Sequence, residues 1–131
     1  MKMKKRIAVF ILLAVVFTMI LSTNALAIQR NTNSKTVGSV TVRGYLYDLW
    51  PAKYQFASET SCTVSSKCIQ AEVFMCGGGG SPVNASKTNN DMTGVTSPSV
   101  TLNNATSAAG SHWAWSLGSH DIDVGTTYTI P

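Results

Sequence analysis

The feature that most constrains the fold of this chain is the alternation of apolar and other residues in short segments. In the segment 40–50, Val40, Val42 and Leu46 share one parity and alternate with other residue types. The segment 69–75 alternates in the same way. This period is typical of half-buried β-strands, and no window after the N-terminal segment shows the period of an amphipathic helix. The sequence therefore predicts an all-β fold, a small antiparallel β-sandwich or an open barrel.

The N-terminal segment 1–27 has the pattern of a secretory signal peptide. Lysine and arginine residues precede an apolar run over 7–21, and the Ala-Leu-Ala sequence at 25–27 supplies the small residues of a cleavage site. The run is shorter than the roughly 20 apolar residues that span a bilayer. We therefore expect cleavage after Ala27, secretion from a bacterial cell, and no stable transmembrane anchor after processing.

Removal of this segment leaves a domain without net charge. Four of the ten lysine and arginine residues lie in the segment, so residues 28–131 keep six basic residues against six acidic ones. A neutral domain without a basic stripe lacks the electrostatic footprint of a nucleic-acid-binding protein. Nucleic acid is therefore not an expected partner.

The secreted part divides into regions with different patterns. Residues 28–36 are polar and without period, and are predicted to form a disordered leader before a β-sandwich domain at 37–131. Two strands are predicted over 54–64 and 68–76, joined by a tight turn. Residues 77–99 are rich in Gly, Ser and Asn, and are predicted to form a mobile loop, with a short edge strand near Ala85–Thr88 as the alternative.

The stretch GSHWAWSLGSHDIDVG, residues 110–125, is predicted to be a β-hairpin. Gly118-Ser119 suits a two-residue turn, and this register pairs Trp113 with Val124. Alternation then gives the hairpin one apolar and one polar face. The predicted apolar face contains Trp113, Trp115, Leu117, Ile122 and Val124, and the predicted polar face contains His112, Ala114, Ser116, Asp121 and Asp123.

The two histidines of this hairpin are not expected to share a metal ion, because His112 lies on the polar face and His120 on the opposite parity. His112 with Asp121 and Asp123 is a weaker arrangement that would hold an ion only loosely. The sequence predicts no metal site and no cofactor.

Three cysteines remain in the exported part of the chain, where disulfides form. Cys62 and Cys68 flank the predicted turn and are the first choice for a disulfide, with Cys62 and Cys76 as the second. Cys68 and Cys76 share one predicted strand and are too far apart to bond. The odd cysteine, Cys76 in the first pairing, is then a free thiol that links two copies in an oligomer or stays buried and unreactive.

No sequence signature of an enzyme is present. The chain contains no G-x-S-x-G, H-E-x-x-H or P-loop motif. A tight turn would set Glu59 opposite Glu72 and resemble the carboxylate pair of a retaining glycosidase. Like charges in that position disfavour the register that forms the pair, so catalysis is not predicted.

Aromatic residues give the strongest functional indication. Tyr45 and Tyr47 lie opposite the valine face of their strand, and Trp50 follows them. Exposed aromatic side chains stack on sugar rings or anchor protein partners, whereas in a central strand both faces would be buried. We predict a secreted, non-enzymatic binding module that uses these residues at a cell envelope or on extracellular glycan or protein. The alternative is a bacteriocin-like toxin that acts on the envelopes of competitor cells.

Overall fold

The computed structural model describes residues 26–116 and 120–131, and every regular element in them is a β-strand. The paired strands are antiparallel and form one sheet that is nearly closed into a barrel, which confirms the predicted all-β class. No helix in these residues is long and apolar enough to cross a membrane. In chain order the eight strands are β1 Leu26–Val37, β2 Val40–Trp50, β3 Gln55–Cys76, β4 Val83–Asn89, β5 Met92–Thr96, β6 Val100–Thr101, β7 Ser107–Ser116 and β8 His120–Thr129.

Strand β3 organises the sheet. Its N-terminal half pairs with β2, β5 and β6, and its C-terminal half pairs with β4 and β7. The predicted turn between two shorter strands is wrong, because the polar residues there form an irregularity within one strand of 22 residues. Ser66 is paired with both β5 and β7, so the chain continues through this point. Glu59 and Glu72 therefore lie on different halves of one strand and do not face each other.

The sheet closes through side chains where β1 meets β8. The Asn31 Nδ2 atom donates to the Thr127 carbonyl oxygen at 2.6 Å, and the Asn33 Nδ2 atom donates to the Gly125 carbonyl oxygen at 3.0 Å. The predicted disordered leader is wrong, because residues 28–36 lie within β1. Backbone pairing with β2 and these amide contacts hold β1 in place with almost no apolar burial, so its sequence carries no apolar period.

The segment 77–99 contains two strands and is not a single loop, and β4 covers the edge strand expected near Ala85–Thr88. Both β4 and β5 pair with β3 along their length. Most positions of the two strands are exposed, which explains why the segment is polar.

The hairpin of β7 and β8 has a register one residue away from the predicted one. Trp113 pairs with Asp123 and Ala114 with Ile122, whereas the prediction paired Trp113 with Val124. The predicted two-residue turn itself lies outside the described residues. The register of β7 against β8 is nevertheless defined by the residue pairs of these two strands.

This shift exchanges the two faces of β7, since side chains alternate along a strand. His112 and Ala114 are fully buried, Trp115 is 40% exposed and Trp113 is half-buried. The predicted apolar and polar faces of β7 are therefore interchanged. His112 points into the interior while Asp123 is exposed, so the weak ion arrangement does not form.

The interior consists of two apolar clusters with a polar layer between them. One cluster contains Val42, Cys62, Ile69, Ala71, Val95, Ala114, Ile122 and Val124. The other contains Leu46, Phe56, Val73, Met75, Ala105 and Ala108. On four strands, inward positions between the clusters are small or polar: Gly44 on β2, Thr60 on β3, His112 on β7 and Thr126 on β8.

Candidate functional site

His112 is the only histidine in the described interior, and its ring is held on both sides. The ring has no solvent exposure. Its Nδ1 atom lies 3.0 Å from the Thr60 hydroxyl oxygen, and its Nε2 atom lies 2.9 Å from the Thr126 hydroxyl oxygen. The Thr60 hydroxyl also donates to the Gln70 carbonyl oxygen at 2.7 Å.

These contacts select one neutral form of His112. The Thr60 hydroxyl has one proton and gives it to a carbonyl, so it accepts a hydrogen bond from Nδ1–H. Nε2 is then unprotonated and accepts from the Thr126 hydroxyl. Burial lowers the pKa of His112 to about 4, against the opposing effects of a hydrogen bond with the Glu59 backbone and the charge of Asp123. His112 is thus neutral and inaccessible to solvent, and its hydrogen bonds link β7 to β3 and β8.

The three aromatic residues predicted to form one binding face lie on two sides of β2. Tyr45 and Tyr47 point outward, and their ring centroids are 6.1 Å apart with planes at 16°. Trp50 has the opposite parity, lies at one end of the barrel and is 54% exposed. The structure brings Tyr45 and Tyr47 together and separates them from Trp50.

The outward tyrosine pair packs against its own sheet. Tyr45 and Tyr47 are both half-buried. Burial raises the pKa of Tyr47, and the charge of Glu59 and a hydrogen bond with it add to the effect. The polar end of Tyr47 is therefore already engaged within the molecule.

Trp50 lines a cleft of about 320 Å³ at the barrel end. The walls come from the start of β1, the turn between β2 and β3, and the end of the chain after β8. Aromatic and charged side chains both reach into it. The aromatic ones are Trp50, Tyr54, Phe56 and Tyr128, and the charged ones are Arg30, Asp48 and Lys53.

The turn after β2 positions the aromatic wall. β2 ends at Trp50, since Pro51 has no N–H to donate to a neighbouring strand. The Ala52 amide donates to the Leu49 carbonyl oxygen at 3.1 Å, which closes the turn. Tyr54 takes a left-handed backbone conformation, with φ of 63°, before β3 begins.

A β-bulge positions the charged wall. The register of β1 against β2 shifts between Gln29 and Asn31, so Arg30 is the extra residue. Bulges redirect side chains and are frequent beside functional sites. Arg30 donates from Nε and Nη2 to the Oδ2 atom of Asp48, at 3.2 and 2.8 Å.

Two rings of the cleft are already covered by cations of the protein. The Arg30 guanidinium lies 5.3 Å from the centroid of the Tyr128 ring. The Lys53 ammonium lies 5.0 Å from the centroid of the Tyr54 ring. Both distances fit cation–π contacts. Phe56 is only 1% exposed, so among the described residues Trp50 is the cleft ring left free to receive a ligand.

The cysteines do not form the predicted disulfide. Cys62 and Cys68 lie on the single strand β3, and six residues of extended chain separate them by roughly 20 Å. Disulfides require Cα atoms within about 7 Å, so the pairing is wrong, as is the second choice of Cys62 with Cys76. All three thiols are unbonded; Cys62 is buried and Cys76 is exposed.

Thiol labelling checks this arrangement. In the native protein we expect a thiol reagent to modify Cys76 first and Cys62 only after unfolding, because modification requires access to the sulfur. Unfolding without reductant is expected to release three thiols per chain, counted by absorbance. A count of one would contradict the strand assignment of β3.

Metal ligands do not converge in the part of the chain that the structure describes. No group of three or more His, Cys, Asp and Glu side chains in residues 26–116 and 120–131 is arranged to hold an ion. The side chains that line the cleft include one carboxylate and two cations, which is not a cation-binding set.

No known protein family matches the chain, and comparisons with curated proteins and with solved structures give no match. No function is therefore transferred from a relative. The cleft around Trp50 carries the functional argument, because it is concave and combines apolar walls with a few convergent polar groups. Sequence reasoning found Trp50 but missed Arg30 and Asp48, whose only signal was their opposite charge.

Proposed function

We propose that this protein is a secreted, non-enzymatic binding module that recognises a glycan of the bacterial cell envelope through the cleft around Trp50. The observation that carries the proposal is the exposed indole of Trp50 beside the Arg30–Asp48 ion pair. Sugar rings have apolar C–H faces and polar rims, so an aromatic wall beside charged hydrogen-bonding groups complements both.

The size of the cleft favours a small ligand. Its volume of about 320 Å³ lies at the lower end of small-molecule sites, which span about 300–1,000 Å³. One or two sugar rings fit this space, whereas a protein partner would bury a much larger, flatter surface. An envelope glycan that presents terminal sugars supplies ligands of this kind.

The charges of the cleft argue against a cationic ligand. A quaternary ammonium group needs uncovered aromatic faces, but Arg30 and Lys53 already lie over Tyr128 and Tyr54. Among the side chains that line the cleft, two cations against one carboxylate also disfavour a positive ligand. A hydroxyl-rich, uncharged ligand avoids both problems.

Retention on insoluble envelope glycan from Gram-positive cells tests the proposal. We expect Trp50→Ala to weaken retention at least tenfold, since loss of an aromatic stacking contact of about 1.4 kcal/mol or more has that effect. The matched control is the double variant Tyr45→Ala/Tyr47→Ala, which removes the outward pair on the same strand and should be retained like the wild type.

The opposite pattern would assign binding to the tyrosine pair and contradict the role of the cleft. Failure of the wild-type protein to be retained on any glycan preparation would overturn the proposal. Membrane potential measured on the same intact cells adds a second readout, because depolarisation would favour the toxin alternative over a binding module.

A further inference from the structure

The Arg30–Asp48 pair has hydrogen-bonding capacity that the protein does not use. Both contacts from Arg30 fall on Oδ2 of Asp48, so Oδ1 has no partner in the described part of the chain. Arg30 Nη2 carries two N–H groups, and the second one likewise has no partner in the described part of the chain. The side chains are 32% and 17% exposed, and both line the cleft beside Trp50.

We propose that Arg30 and Asp48 together bind the vicinal diol of a pyranose ring whose apolar face stacks on Trp50. This inference rests on the proposed function and names the chemical class of its ligand. Each hydroxyl of a diol both donates and accepts. One hydroxyl donates to Oδ1 of Asp48, and its neighbour accepts from the second N–H of Arg30 Nη2.

The geometry of the pair matches a diol better than a single polar group. Arg30 Nη2 contacts Oδ2 of Asp48 at 2.8 Å, so its second N–H, a donor, and the free oxygen Oδ1, an acceptor, belong to neighbouring groups. Hydrogen bonds to charged groups are roughly twice as strong as those between neutral groups. The β-bulge at Arg30 produces this arrangement, since a regular strand would not insert the extra residue.

An anionic group fits the same place poorly. A carboxylate or phosphate beside Arg30 would also stand beside the unpaired oxygen of Asp48 and be repelled by it. Lys53, the remaining cation, lies over Tyr54 on the turn. The recognised unit is therefore an uncharged ring with neighbouring hydroxyls, either at the end of a polysaccharide or as a free sugar.

Asp48→Asn separates this inference from the wider proposal. Arg30 donates two hydrogen bonds to one atom, so it will hold the amide oxygen and leave the amide NH₂ where Oδ1 stood. The free acceptor becomes a donor while the shape is kept. The ion pair is partly exposed and contributes little to stability, so the variant is expected to fold.

On the glycan that retains the wild type, we expect Asp48→Asn to bind at least tenfold more weakly. The control Asp91→Asn makes the same change at an exposed carboxylate outside the cleft, and is expected to stay within twofold of the wild type. Treating the glycan with periodate, which cleaves vicinal diols, followed by borohydride reduction is expected to abolish retention.

Two soluble probes distinguish a free sugar from a polymer end. Methyl β-D-glucopyranoside presents vicinal hydroxyls, and its 3-deoxy analogue has none. Tryptophan fluorescence should report binding of the first at least tenfold tighter than the second if free sugar is a ligand. No response to either sugar, with a periodate-sensitive polymer, would assign the diol to a polymer end.

Retention that depends on Trp50 but survives both periodate and Asp48→Asn would overturn the diol inference and leave the binding module standing. Recognition of the internal residues of a 4-linked N-acetylhexosamine chain behaves in this way, because those residues carry no vicinal diol. Absence of any glycan binding by the wild type would overturn the proposed function and this inference together.

Discussion

Replacing Gly44 by alanine is expected to destabilise the protein by about 3 kcal/mol or more, at the upper end for overpacked interiors. A Cβ atom at this position would lie 2.1 Å from Cδ2 and 2.4 Å from Cγ of His112. The ring cannot move aside without breaking its hydrogen bonds to Thr60 and Thr126. Urea unfolding followed by tryptophan fluorescence measures the change.

Gly125→Ala is the matched control for this substitution. Gly125 is a strand glycine of the same sheet, and a Cβ atom there meets nothing within 4 Å. We expect its free energy of unfolding to stay within about 0.5 kcal/mol of the wild type.

A double-mutant cycle identifies His112 as the obstacle. In a His112→Ala background the added methyl group enters the space of the missing ring, so the cost of Gly44→Ala should fall below about 1 kcal/mol. An osmolyte such as sucrose keeps the weaker variants folded for the measurement. An equal cost of Gly44→Ala in both backgrounds would contradict the close packing of β2 on β7.

The same packing explains why the fold class was predictable and the register of β7 was not. Alternation is a local signal, and it identifies β2 directly. The inward face of β7 is decided by volume: Gly110, His112 and Ala114 fit beneath Gly44 and β8, whereas Trp113 and Trp115 would overfill the interior. That comparison needs the partner strands, so hydrophobicity alone placed the tryptophans on the wrong side.

Strands β1 and β3 were missed for different physical reasons. Segment 28–36 is polar because the side-chain amides of Asn31 and Asn33 donate hydrogen bonds to backbone carbonyl groups of β8. The segment therefore needs no apolar period. The polar stretch around Ser66 resembles a turn, yet it forms an irregularity where β3 changes partners. In both segments the hydrogen bonds are made with residues distant in the sequence. Neither segment therefore shows a local hydrophobic pattern.

The candidate site was predictable only in part. Trp50 stood out as an aromatic residue at a strand end. Arg30 and Asp48 meet because β1 pairs with β2 and a bulge redirects one side chain, and Tyr128 joins them from β8. Once β1 is not recognised as a strand, these residues have no reason to be considered together.

Acidification is expected to destabilise the protein through His112. The folded state lowers its pKa to about 4, whereas an unfolded histidine titrates near 6.5. The unfolded chain therefore binds the proton first, and stability is complete above about pH 6.5 and falls as the pH drops towards 4. The full loss amounts to about 3 kcal/mol.

Denaturant unfolding at several pH values measures this loss. His112→Asn keeps a side chain that donates to Thr60 but does not titrate, so its unfolding free energy should lack the fall that His112 adds between pH 6.5 and 4. Carboxylates contribute equally to the pH dependence of the unfolding free energy in both proteins. Their contribution cancels when the two curves are subtracted.

Nitrogen NMR of the wild-type ring tests the same point without a variant. We expect Nδ1 to be protonated and Nε2 unprotonated at pH 6, since the Thr60 hydroxyl accepts from Nδ1 while the Thr126 hydroxyl donates to Nε2. A ring that titrates near pH 6.5 in the folded protein would contradict both the tautomer and the acid sensitivity. A ring that stays neutral until the protein unfolds would show that protonation of His112 is coupled to unfolding.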